Sequence, residues 1–160
     1  MQADWTGIDP DGPEAAALIQ VMVDTRIGFD PTLSIQRIGE RQRRTFSLEE
    51  YTRAKEAVKK MGRFVHNAWQ AGVTILAGTD DGNLFDEMDD YASAGLTNQA
   101  ILEAATANGA TWLRKQDVFG TLQTGRRADF ILVDGDPLAR IRDIRKIQLV
   151  VQDGRVVFRK

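Results

Sequence analysis

Two adjacent carboxylates, Asp80 and Asp81, follow the most apolar run of the chain, "AGVTILAG" at residues 71–78. In open α/β sheets and α/β barrels, ligands meet the chain at the carboxyl ends of the strands. A carboxylate delivered there can bind a hard or borderline cation, or move a proton to and from a bound water. It can equally cap the following segment or pair with a nearby cation, and strand position alone leaves both readings open. Gly78 and Gly82 flank the pair and permit close backbone approach and a sharp exit.

Other residues with chemical potential are few. The chain has one histidine, His66, and no cysteine, which excludes a disulfide scaffold, thiolate zinc sites and a cysteine nucleophile. His66 lies on a helical stretch, off its apolar stripe, and reads as a partly exposed helix residue and not as a ligand. Arg37, Arg41, Arg43 and Arg44, broken by Glu40, could steer an acidic substrate but read more simply as a solvated loop. Asp86, Glu87, Asp89 and Asp90 read as a solvated helix start, since acids suit a helix N-terminus.

The elements that must position these groups alternate. Pro13 suits a first helical turn, and Ala15 to Val23 continue the helix until Gly28 offers a left-handed stop. "FDPTL" at 29–33 is a short extended piece, where Pro31 argues for a strand end. Residues 34–46 are polar and aperiodic and read as a loop. Ser47 and Glu50 then have capping-box spacing, with Phe46 and Tyr51 placed for a hydrophobic staple. Ala54, Ala57, Val58, Met61, Phe64, Val65 and Ala68 recur every three or four residues, and Gly72 ends this helix. "VTILAG" is continuously apolar, the pattern of a strand covered on both faces in a parallel sheet. Thr97 is an expected N-cap. From about residue 117 the character changes to short β-type runs, "RRADFILV", "IQLVV" and "RVVFR", with Asp153-Gly154 as a hairpin signal. "DGDPL" at 134–138 reads as a turn. The expected organisation is an α/β portion over 1–116 and a small antiparallel β portion over 117–160.

The bulk composition fits a globular domain: 160 residues, 42% apolar and 28% charged. A net charge of -2 gives no global field favouring nucleic acid or an anionic membrane. No apolar run approaches the roughly 20 residues of a membrane helix. The opening residues have no basic leader followed by an apolar core, so a cytoplasmic location is the expectation.

Four stretches in order, "AGVTILAGTD", "ASAGLTNQAILEAATANGA", "GTLQTGRRADFILVDGDPLARI" and "VVQDGRVV", closely resemble the C-terminal part of metal-dependent amidohydrolases. The nearest subgroup is similar to imidazolonepropionase and Xaa-Pro dipeptidase relatives. "FDPTL" resembles that subgroup's seventh barrel strand. The resemblance implies an α/β fold, the C-terminal portion of a (β/α)8 TIM barrel followed by part of a small β-sandwich. "GTD" would end the eighth strand. Asp80 would be the strand-eight aspartate that binds a divalent metal, zinc being the expected one, and shuttles the proton of the attacking hydroxide. Asp129 matches a recurrent family position and is expected to be structural.

The family builds its metal centre from a His-x-His pair on strand one, often a lysine or acid on strand four, and histidines on strands five and six. With His66 alone, no His-x-His pair exists here. A complete barrel needs about 250 residues. The sequence therefore reads as a C-terminal fragment of a hydrolase of amide or cyclic amide bonds, inactive as an isolated chain, with most metal ligands on other polypeptide. Its small-molecule or peptide-like substrate would belong to the full enzyme. Unpaired strand edges predict that it docks with its missing N-terminal half or forms a homo-oligomer. A non-catalytic scaffold or interaction domain derived from the family is the alternative. A Mg²⁺-dependent phosphoryl-transfer domain, with Asp30 joining Asp80 and Asp81 in an acidic strand-end pocket, is a further one, although the β-rich tail has no place in it.

Overall fold

Pro13 opens helix α1 (Pro13–Thr25), its fixed φ suiting a position whose N–H needs no helical partner. The structure, a computed structural model, describes residues 5–34, 47–80 and 83–160. The readings made for the arginine loop (Arg37, Arg41, Arg43, Arg44), for Phe46 and its staple, and for Asp81 and Gly82 lie outside the described residues. The left-handed stop of α1 falls on Arg26 (φ 54°) and not on Gly28 as expected. Arg26 and Ile27 donate N–H groups to the carbonyls of Val23 and Met22, closing the helix one residue after Thr25. That earlier closure leaves Ile27 and Gly28 to lead into the 29–33 segment.

Helix α2 (Leu48–Gln70) starts at the expected capping box. The Ser47 hydroxyl accepts the Glu50 N–H, while the Glu50 carboxylate accepts the Ser47 N–H at 2.8 Å. These bonds hold the Glu50 carboxyl below its usual range. Ser47→Ala is expected to cost about 1 kcal/mol, read as a lower urea midpoint. The α2 stripe buries Met61, Phe64, Val65 and Ala68, whereas Ala54, Ala57 and Val58 are only half-buried. Phe64 meets Phe29 edge-on at 5.8 Å and Trp5 at 5.7 Å between ring centroids. Gly72 (φ 94°) then reverses the chain into residues 73–79.

Residues 29 and 75 form a single parallel bridge, with the Phe29 N–H on the Thr74 carbonyl and the Leu76 N–H on the Phe29 carbonyl. The continuous apolar run predicted a strand covered on both faces. Val73 and Ile75 are buried but Thr74 between them is exposed, so the pairing is short and the covering alternates. Helix α3 (Leu84–Ala94) is capped by the Asn83 side chain and stopped by left-handed Gly95. These elements, through Leu96, make one compact unit.

The second unit, Thr97–Lys160, holds helices α4 (Asn98–Ala104) and α5 (Ala107–Trp112) and a three-stranded antiparallel sheet. Thr97 caps α4 as expected, accepting the Ala100 N–H. The sheet runs β1 (Phe130–Val133), β2 (Ile147–Gln152), β3 (Arg155–Arg159), with Phe130 opposite Val151 and Leu149 opposite Arg159. Asp153-Gly154 makes the β2–β3 turn, both residues left-handed. Asp129 has the structural part expected of it. It accepts the Asp153 N–H at 2.7 Å and pairs with Arg127, and that N–H and guanidinium hold its carboxyl below the usual range. In the 134–138 turn, the Asp136 carboxylate accepts the Leu138 N–H. Asp143, buried, braces that turn through the Asp136 N–H and pairs with Lys146 and Arg140, which lower its pKa.

Candidate active site

Because the Phe29–Ile75 bridge is parallel, both segments deliver their carboxyl ends to the same side. Asp30, the residue after the bridge, turns its Oδ1 to accept the Gly78 N–H at 2.8 Å. A Cβ on Gly78 would lie 2.0 Å from the Asp30 Oδ2, so glycine is required for this approach. Asp80 follows two residues later, exposed and left-handed (φ 46°), a conformation that aspartate tolerates better than most residues. Gly78→Ala is expected to expel the exposed Asp30 carboxylate while lowering stability by no more than about 1 kcal/mol. A moved Asp30 carboxyl carbon signal with a nearly unchanged urea midpoint would report it.

On the other segment, Thr32 is also left-handed (φ 45°), an unfavourable state for a β-branched residue, costing about 1–3 kcal/mol. The N–H groups of the next two residues converge on one carboxylate. Leu33 donates to Glu87 Oε1 at 2.8 Å and Ser34 to Oε2 at 2.6 Å. Consecutive N–H groups beside a left-handed residue form an anion-binding concavity. Here a side chain of the same molecule fills it.

Glu87 is 0% exposed and Asp90 9%, which corrects the expectation of a solvated acidic helix start. Asp86 and Asp89 are half-buried. The physical reason is that α3 turns the face carrying Glu87, Met88 and Tyr91 into the unit, and the backbone donors at 33 and 34 compensate the carboxylate's burial. Burial pushes the Glu87 carboxyl above its usual value, and the Ser34 and Leu33 N–H groups oppose that shift. One helical turn on, Tyr91 is fully buried and donates its hydroxyl to the Leu76 carbonyl at 2.6 Å. Burial and the nearby Glu87 charge push its phenol up, so it stays a donor. Sequence reasoning missed Glu87. The available signal was its place four residues before Tyr91 on the apolar side of the helix.

His66 is half-buried, packs its ring edge-on to Trp69 at 5.8 Å, and presents Nδ1 to Gly95. That nitrogen is buried and has no hydrogen-bond partner among the described residues. Its surroundings are those of a helix-packing residue.

A divalent metal is the group that the resemblance implies, and the described residues do not fit one. No group of three or more His, Asp or Glu side chains among them is disposed to hold a cation. Asp30, the one acid at the neighbouring strand end, spends an oxygen on the Gly78 N–H. Asp80 is therefore not part of a ligand set among the described residues.

The comparisons with known proteins agree with this partial architecture. The solved structures similar to the chain include a Xaa-Pro dipeptidase with bound methionine, at 22% identity and a TM-score of 0.77, over 90% of this chain and 37% of that one. A putative prolidase from Bifidobacterium longum is similar at 26% identity and a TM-score of 0.72, over 82% of this chain and 35% of that one. A curated relative, the 5-methylthioadenosine/S-adenosylhomocysteine deaminase of Saccharophagus degradans, is 33% identical over 85 residues, 44% of this chain and 19% of that protein. The chain thus spans well under half the length of each of these. No described helix is long and apolar enough to cross a membrane. The amidohydrolase family pattern matches residues 13–157, taking in helices α1 to α5, the parallel bridge, Asp80, and the antiparallel sheet as far as the middle of β3, and the chain belongs to that family.

Proposed function

We propose that the chain is the C-terminal part of a metal-dependent amidohydrolase that hydrolyses amide or cyclic amide bonds of a small, peptide-like substrate. The observation that carries the reading is Asp80 at the carboxyl end of a parallel pair, within a family match over residues 13–157. An exposed carboxylate there can take a proton from a nucleophilic water and return it to a leaving amine. The similarity to solved prolidases favours the Xaa-Pro dipeptidase-like side of the subgroup over the imidazolonepropionase side.

The metal ligands and substrate-binding loops lie on polypeptide outside these residues, joined to this chain or docked on it. Support comes from the absence of a ligand cluster among the described residues and from the chain's coverage of under two-fifths of the solved relatives. The β-rich tail is one half of a sandwich. Its sheet leaves Ile131, Leu132, Val156, Val157 and Phe158 exposed, and since successive residues alternate faces, a second sheet would cover those of one face.

A non-catalytic descendant of the family is the second reading, favoured by the same lack of ligands. The test is the DNA upstream of the Met1 codon. The expected result is an open frame encoding a His-x-His strand, whose product, expressed with this chain, hydrolyses Xaa-Pro dipeptides or N-acyl amino acids. Stoichiometric zinc binding and turnover by the 160 residues alone would overturn the division of the site. An assembled product with intact His ligands and no hydrolysis would favour the scaffold.

A further inference from the structure

We propose that Glu87 is a positioning residue for Asp80, acting through the Leu33 and Ser34 N–H groups, Asp30 and Gly78. The inference rests on the reading of Asp80 as the strand-end acid and adds to it the device that aims it.

The 29–34 segment is held at three places. Phe29 bridges Ile75, Asp30 accepts the Gly78 N–H, and Leu33 and Ser34 donate to the two oxygens of Glu87. Thr32, left-handed, separates the second hold from the third. Without an anion in the concavity that follows it, the backbone has no reason to keep that conformation. Relaxation at Thr32 would rotate the segment that presents Asp30, which in turn fixes the backbone two residues before Asp80.

The second grip comes from the same helix. Tyr91, four residues past Glu87 and on the same face, holds the Leu76 carbonyl on the Asp80 segment. Helix α3 thus clamps both segments on their carboxyl-end side, one with a carboxylate and one with a phenol. Only a carboxylate serves at position 87, because each of its oxygens must accept and an amide offers one acceptor. A buried carboxyl is costlier to keep in a core than an apolar side chain, and both oxygens of this one are spent on strand-exit N–H groups.

The experiment is NMR on the labelled 160-residue chain, with Glu87→Gln, Asp30→Ala (which leaves the Gly78 N–H no acceptor at that position) and the double variant. Glu87→Gln is expected to accelerate hydrogen exchange at Leu33 and Ser34 about tenfold or more. It should also move the Gly78 amide and the Asp80 carboxyl carbon signals. In the Asp30→Ala background, Glu87→Gln should still affect Leu33 and Ser34 but no longer reach Asp80. Movement at Leu33 and Ser34 with Gly78 and Asp80 unmoved would overturn the proposal, leaving Glu87 a local anchor. Should Glu87→Gln fail to fold, Glu87→Asp, a carboxylate on a shorter stem, takes its place: moved Gly78 and Asp80 signals support the relay, and unmoved ones overturn it. These readouts need neither metal nor substrate, so they stand or fall separately from the proposed hydrolysis.

Discussion

If the proposed function holds, Asp80→Asn is expected to lower kcat for amide hydrolysis about 10²–10⁴-fold, the usual contribution of a positioned general acid–base group. The substitution is informative because its structural cost is small. Asp80 is exposed, and asparagine adopts the left-handed conformation (φ 46°) as readily as aspartate. The amide is close to the carboxylate in size but cannot take up a proton at neutral pH. Loss of rate with an unchanged urea midpoint would therefore isolate proton transfer from folding. Asp80→Ala would add backbone strain and confuse the two. The measurement is steady-state hydrolysis of Xaa-Pro dipeptides by this chain together with the proposed N-terminal half, and an undiminished kcat would remove Asp80 from the mechanism.

Glu87→Ala should have the largest effect on stability, about 3 kcal/mol or more. It removes the acceptors of two buried backbone N–H groups and leaves a void where a 0%-exposed side chain stood. Glu87→Gln should cost less, since one acceptor survives. The pH dependence has a definite sign. Burial raises the Glu87 pKa in the folded state above its ordinary 4.5. The stability this shift supplies is complete below that value and is lost as pH rises through the raised one. Asp143 and Asp129, with lowered values, behave oppositely: their contribution is present above 3.8 and lost as pH falls. Urea midpoints from pH 4 upward should therefore decline more in the wild type than in Glu87→Gln. A wild-type midpoint that rises across that range as steeply as the variant's would contradict a raised Glu87.

Much of the local structure was legible in the residues because its causes are local. The Ser47–Glu50 box, the Thr97 cap and the Asp153-Gly154 turn depend on bonds between residues at most three apart, and each forms as expected. Asp129 was read as structural and is so. The stop of α1 was misplaced because a left-handed arginine is an unfavourable choice that only the surrounding chain path can impose. The burial of Glu87 was not legible in the same way. An acid in a first helical turn has a sufficient local explanation in the helix dipole, and nothing within four residues reveals that Leu33 and Ser34, more than fifty positions away, offer their N–H groups.

The sequence by itself determined the family, the helices with their caps, the antiparallel tail and the presence of a carboxylate after the apolar run, because periodicity, capping spacing and ordered motifs are properties of the chain read linearly. Only the tertiary structure decided which carboxylates meet water and which meet backbone. That choice belongs to the pairing of residues 29 and 75 and to the face α3 turns inward, where desolvation and hydrogen bonding compete across distances that no linear pattern encodes.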